Sequence, residues 1–391
     1  MKPVGSIAPK TALILSGGGA RAAYQVGVLL AIAKILPRGS QNPFPIICGT
    51  SAGAINAAAM AVGAGDFHRA VLQLARMWQG LRGESIYLAD LPYLSKTAAH
   101  WLLALLCGGL GERNPRAFLD NAPLRALLSR EVDFGQIERH IQSGALRAVA
   151  ISALGYSSGQ SVSFFQGAAD LSVWSRAKRV GVRTELNVSH LMASSAIPLI
   201  FPAEHIHREY FGDGSVRQIA PLSPAIHLGA RRVLVIGVAP RSDHGPTRLH
   251  SPSYPTLAQV TGQLFNSVFL DSLDTDLERM TRINRTLSYV PLAARLNGQL
   301  ELHPIEVLTI SPSKPLEKLT LSFSRDFPLG MRFLLGGLGA FRRQGSVVAS
   351  YLLFSQAYLR QLIRLGYRDA MDKEAELSVF LTANSKASSV E

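Results

Sequence analysis

The chain has 391 residues, 47% hydrophobic and 17% charged, a balance that builds a large core and excludes a disordered or fibrous polymer. Its formal charge is +13, so a polyanionic partner is expected. With no zinc-finger spacing, long Lys/Arg run or aromatic RNP-like motif, an anionic membrane surface is favoured over nucleic acid.

Residues Met1–Lys10 contain Pro3 and Pro9 and no apolar stretch, so no secretory signal is expected there and the location is read as cytoplasmic or peripheral to a membrane. Thr11–Leu15 is a short apolar run, Gly17-Gly18-Gly19 a turn, and Tyr24, Val28, Leu29, Ile32 and Leu36 recur at helical spacing until Pro37 and Gly39. A second unit repeats the pattern: Ile46-Ile47-Cys48, then Gly49-Thr50-Ser51-Ala52-Gly53, then an alanine-rich helix through Met60. Cys48 and Cys107 are the only cysteines. They form neither a disulfide framework nor a metal spacing, and Cys48 reads as a buried strand residue. Strands alternating with helices predict a three-layer α/β fold, a mostly parallel sheet with helices on both faces. Ligands of such sheets sit at the carboxyl ends of strands, where both glycine turns fall.

Residues 66–145 read as mainly helical. Among them Tyr93, Leu94, Trp101, Leu102, Leu103, Leu105 and Leu106 form an apolar stretch too short for a hydrocarbon core, which needs about 20 residues. It is a lid or an acyl-chain wall, or else an ordinary buried helix. Leu146–Leu154 and Ser161–Gln166 are predicted strands, and a helical stretch with Arg176, Lys178, Arg179 and Arg183 follows. Those four cations and the leucine-rich stretch are the expected contact with anionic bilayers.

Next come Ala193-Ser194-Ser195-Ala196-Ile197-Pro198 with Phe201-Pro202, and the strand or turn end Tyr210-Phe211-Gly212-Asp213-Gly214-Ser215. Arg232–Val238 is a buried strand. Pro240–Pro255 reads as an exposed loop, Leu257–Ile283 as helix and Ile305–Ile310 as a late strand. Val347–Leu365 places Val348, Leu352, Leu359 and Ile363 on one helical face, and a solvated tail begins at about Ala383. The expected organisation is a catalytic domain over residues 11–240, a C-terminal extension over 241–382 packed on the same domain, and a flexible tail over 383–391.

Gly49 to Gly53 is a G-x-S-x-G motif between a strand and a helix, a tight turn that lifts a serine Oγ out of the sheet. The helix N-terminus behind it favours developing negative charge. Free N–H groups at Gly18 and Gly19 suit an oxyanion hole. A phosphate-cradling loop is the rival, but neither G-x-x-x-x-G-K-[ST] nor G-x-G-x-x-G with a later acid is present. Asp213-Gly214 alone would be an ordinary turn.

In order, Gly17-Gly18-Gly19-Ala20-Arg21, Gly49 to Gly53, the block from Ala193 to Pro202, and Asp213-Gly214-Ser215 resemble the patatin-like phospholipases, over roughly residues 11–240. The resemblance implies Ser51 as nucleophile, Asp213 as its base, Gly17, Gly18 and Gly19 as oxyanion donors, and Arg21, Gly49, Gly53 and Gly214 as supporting residues. A carboxylate can act as such a base when an apolar site raises its pKa. Two positions depart from the family pattern: Arg21 is followed by Ala22 where the family has glycine, and Asp213-Gly214 by Ser215 where it has glycine or alanine. The implied activity is hydrolysis of fatty-acyl lipid esters without cofactor or metal, since no His/Cys/Asp cluster has ligand spacing. An acyltransferase using the same dyad and a catalytically silent membrane-associated module are the alternatives. A Ser-His-Asp triad also stays open, with His190, His205, His207 and His227 nearest the aspartate block.

Overall fold

The computed structural model describes residues 10–240, 254, 256–269, 271–291, 302–341 and 345–382. The predicted loop after Pro240, except Tyr254, and the predicted tail lie outside the described residues. Among the described residues ten strands form one sheet: β1 (Lys10–Leu15), β2 (Ile46–Thr50), β3 (Ala148–Gly155), β4 (Ser161–Gly167), β5 (Trp174–Arg176), β6 (Arg179–Arg183), β7 (Glu204–Ile206), β8 (Glu209–Asp213), β9 (Ala230–Ile236) and β10 (Glu306–Ile310). Their order is β10-β9-β1-β2-β3-β4-β6-β5, with β8 paired to β3 and β7 to β8. The five strands from β10 to β3 are parallel, as the alternation of strands and helices predicts; β4 and β8 run antiparallel to β3.

Successive side chains of a strand point to opposite faces, and here both faces are dry. Leu13, Leu15 and Ile47 enter one core, whereas Ala12, Ile14, Ile46 and Cys48 enter another. That is why β1 and β2 read as unbroken apolar runs rather than alternating ones. Cys48 is inert there, its thiol pushed up to about 12 by burial.

Helix α1 (Ala23–Ile35) packs backbone to backbone on the helix Gln356–Met371. A Cβ on Gly27 would stand 2.0 Å from Ile363 O, and one on Gly366 2.0 Å from Tyr24 O. The Tyr24 hydroxyl donates to Asp369 Oδ2 at 3.0 Å. Residues beyond 300 therefore contribute an edge strand and a helix covering the nucleus of the fold.

Two predicted helices are organised differently. The stretch with Arg176, Lys178, Arg179 and Arg183 is the hairpin β5–β6, turned through Lys178 at φ 58°. Its Arg-Val-Gly-Val-Arg sequence alternates with period two, and the Trp174 ring lies over Gly181, where a Cβ would come within 2.3 Å of it. The predicted helix over 347–365 is two helices, Ser346–Leu352 and Gln356–Met371. Ser355 starts the second by accepting from Tyr358 N–H at 3.2 Å, so the local cap overrides the continuous apolar spacing.

Candidate active site

The two glycine turns are neighbours because β1 and β2 pair in parallel, with Leu15 opposite Gly49. Gly17-Gly18-Gly19 leaves β1, and Ser51 leaves β2 to head helix α2 (Ala52–Val62). Ser51 holds φ 55° and ψ −131°, a backbone conformation that favours glycine and that only surrounding packing sustains in another residue. The surroundings are tight. A Cβ on Gly49 would stand 2.4 Å from Gly53 O, and one on Gly53 2.2 Å from Leu15 O. Both glycines of the motif are thus required by close approach of backbone.

Asp213 ends β8, opposite Ala153 of β3, and β3 in turn pairs with β2. The sheet thereby brings together two residues 162 positions apart. Ser51 Oγ donates to Asp213 Oδ2 at 2.5 Å, and Ser215 N–H donates to Asp213 Oδ1 at 2.8 Å. Ser51 and Asp213 are buried. Burial raises the Asp213 carboxyl to about 6, against the lowering effect of its hydrogen bonds with Ser51 and Ser215. At neutral pH it is ionised, yet a better proton acceptor than an ordinary carboxylate. Gly214 is pressed onto β3, where a Cβ would meet Ser152 O at 2.1 Å.

The glycine loop closes over the serine. A Cβ on Gly17 would stand 2.9 Å from Ser51 Cβ and 2.3 Å from Ser215 Oγ, one on Gly18 would meet Val238, and Gly19 has φ +54°. A 3-10 turn follows, whose first internal bond runs from Arg21 N–H to Gly18 O. The N–H groups ahead of Arg21 have no partner inside that turn, the arrangement that receives anions at helix starts.

Arg21 points elsewhere. It is buried, donates from Nε to Ser350 Oγ at 2.8 Å, lies 4.4 Å over the Tyr351 ring and approaches Glu317 at 3.8 Å. Its role in the fold is to tie the glycine loop to Glu317, Ser350 and Tyr351. The two departures from the family pattern cause no strain: Ala22 is right-handed at φ −64°, and Ser215 has no positive φ.

No hydrogen bond joins a histidine to either residue of the pair among the described residues. His190 caps its own helix, accepting at Nδ1 from Asn187 N–H at 3.1 Å, and burial lowers it to about 4. His205 packs on Tyr210, and His227 on Trp174. No cluster of three potential metal ligands occurs among the described residues.

In front of Ser51 is an apolar cavity of about 40 Å3, walled by Ile55, Trp78, Leu124, Leu128, Phe201 and Leu352, among others. None of residues 91–110 lines it. The helix Leu91–Leu106 is therefore not the cavity wall, nor an ordinary buried helix, because Ala104 is its one buried residue. The wall is built in part by the amphipathic helices Phe67–Gly80 and Ala122–Glu131.

Sequence reasoning missed two serines. Ser194 Oγ accepts from Ser51 N–H at 2.9 Å and donates to Ser152 O at 2.6 Å, bracing the turn against β3. Ser195 lines the cavity, and its buried hydroxyl has no hydrogen-bond partner among the described residues. The block from Ala193 drew attention to both, but nothing local marks them as facing Ser51.

A family model described as patatin-like phospholipase matches residues 13–226. Among solved structures, VipD from Legionella pneumophila is similar at 12% identity and TM-score 0.34, over 95% of this chain and 67% of that one. Human GIVD cytosolic phospholipase A2 is similar at 12% identity and TM-score 0.45, over 97% of this chain and 60% of that one. ExoU of Pseudomonas aeruginosa, solved with SpcU, is similar at 21% identity and TM-score 0.23, over 40% and 35%. The chain thus spans less than two thirds of the length of the latter two. No curated protein matches it.

Proposed function

Because the chain belongs to the patatin-like phospholipase family, we propose that it hydrolyses fatty-acyl esters of lipids through Ser51 and Asp213. The observation that carries this reading is the 2.5 Å hydrogen bond from Ser51 Oγ to a buried carboxylate whose pKa is pushed up to about 6. In this reading Ser51 Oγ attacks the ester carbonyl carbon while its proton passes to Asp213 Oδ2. The carbonyl oxygen, now negative, accepts from N–H groups of Gly17, Gly18 and Gly19, a contribution of several kcal/mol to acyl transfer. Collapse breaks the ester C–O bond, and the leaving alkoxide takes the proton from Asp213. Water then attacks the acyl-serine, giving up its proton to Asp213, and the fatty acid leaves as Ser51 recovers its hydrogen. The same acyl-serine serves an acyltransferase when an alcohol replaces water.

A fluorescent fluorophosphonate, which phosphonylates activated serines with loss of fluoride, tests the pair. Labelling of the native chain is expected to vanish in Ser51→Ala and to collapse in Asp213→Asn. A folded native chain that stays unlabelled with and without liposomes would sink the reading in favour of a silent module.

For the lipid surface, we infer that the helix Leu91–Leu106 makes the contact. Leu102, Leu103, Leu105 and Leu106 are 51–77% exposed, an apolar patch of the kind that marks interaction surfaces. The charge of +13 adds attraction to anionic head groups. No helix among the described residues is long and apolar enough to cross a membrane, so contact of this kind is interfacial. Changing the four leucines to serine is expected to weaken flotation with phosphatidylglycerol vesicles by at least about tenfold. Unchanged flotation would remove the helix from the contact.

A further inference from the structure

We infer that a long acyl chain runs from Ser51 through a thin wall of side chains into a groove on the outer face of the molecule, so that this groove sets chain-length preference. The inference rests on the lipid-ester reading above. The cavity at Ser51, at about 40 Å3, has room for water but not for a fatty acyl chain; sites that enclose ligands of that size run to several hundred Å3. A groove of about 920 Å3 lies behind it, between the helices Phe67–Gly80 and Ala122–Glu131 and the start of the helix Gly135–Gln142. Met77, Leu81 and Leu127 line both spaces. The two are therefore separated by a single layer of side chains.

Three features suit the groove to an acyl chain. An apolar strip runs along it, Val62, Leu74 and Val132 continuing Met77, Leu81 and Leu127, beside the cations Arg69, Arg76 and Arg130. The acids at its rim are already engaged: Asp66 accepts from Arg69 N–H, Asp133 from Gly135 N–H and the Gln136 amide, and Glu131 from Arg130. The groove is also long in the right direction. Ser51 heads α2 while Val62 ends it, a rise of about 16 Å at 1.5 Å per residue, and the groove reaches the far end. The layer between the spaces can yield, because Met77 and Leu127 are only partly buried and an unbranched thioether adapts its shape readily.

The test compares hydrolysis of palmitoyl and butyryl nitrophenyl esters, in mixed micelles, by the native chain, Met77→Trp and Gln73→Trp. Gln73 is exposed and lines the groove alone, so its variant keeps the test valid if the indole at position 77 impairs folding. Both variants are expected to lower the palmitoyl-to-butyryl ratio of kcat/KM by about tenfold, the scale at which a hydrophobic pocket discriminates. Met77→Ala is expected not to lower it. A native enzyme that cleaves both esters, with the ratio unmoved in Met77→Trp and Gln73→Trp, overturns the groove assignment alone. A native chain that cleaves neither ester brings down the lipid-ester reading, and the groove assignment with it.

Discussion

Replacing Asp213 by asparagine is expected to cut turnover by about 10^3–10^4-fold and, at neutral pH, to make the protein more stable. The first effect follows if the carboxylate is the base that takes the Ser51 proton, since positioned general bases contribute up to about that much. The second follows from burial. The folded carboxyl titrates at about 6 against a model value of 3.8, so the native state holds its proton more tightly than the unfolded chain does. Stability conferred by that proton is complete below the unfolded pKa and is lost as pH rises through the folded one. About two pKa units amount to about 3 kcal/mol of cost carried by the ionised form at neutral pH. An amide at position 213 never ionises. Urea denaturation should therefore show the variant ahead of the native chain at about pH 8, with the gap closing toward about pH 4. In the native enzyme kcat/KM should rise with pH through an acid limb near 6. A variant less stable than native at high pH would mean that burial of the charge is better compensated than its two hydrogen bonds imply.

At position 51, glycine and alanine are expected to be equally inactive and unequally stable. Both remove the hydroxyl and both leave Asp213 without its 2.5 Å donor, so turnover should fall by about 10^4-fold or more in each. They differ in the backbone. Alanine keeps a Cβ at φ 55° and ψ −131°, whereas glycine adopts that region freely. Strain of this kind costs on the order of 1–3 kcal/mol. After the greater entropy of unfolded glycine is set against it, Ser51→Gly should exceed Ser51→Ala by about 1 kcal/mol in denaturation. Equal midpoints would show that no strain is stored at this turn.

Some of this site is local and some is not. The strand, turn and helix around Gly17–Gly19 and around Ser51 are legible because apolar runs, glycines and helical spacing lie within a few residues of one another. The proximity of Asp213 to Ser51 is not written in either segment. It was reached through the order of blocks in a family resemblance, and in the molecule it depends on β8 pairing with β3, and β3 with β2.

The same division explains what went differently. The leucine-rich helix Leu91–Leu106 has the composition of an acyl-chain wall, but it packs outside the cavity. The wall falls to Trp78, Leu124 and Leu128, on amphipathic helices that look ordinary in sequence. Arg21 belongs to the glycine motif, but its guanidinium serves Ser350 and Tyr351, more than 300 residues away. The cations from Arg176 to Arg183 resembled a helical stretch until the hairpin with Trp174 over Gly181 decided otherwise.

By itself, then, the sequence determined the alternating α/β layers, the two glycine turns at strand ends and the serine that heads a helix, because periodicity and the space beside a glycine are short-range properties. Tertiary structure decided how Asp213 is carried to that serine, which serine braces it, how far Asp213 is raised and which helices close the cavity. Those are properties of side chains that meet across the sheet, and the distances between them arise only when distant segments are packed together.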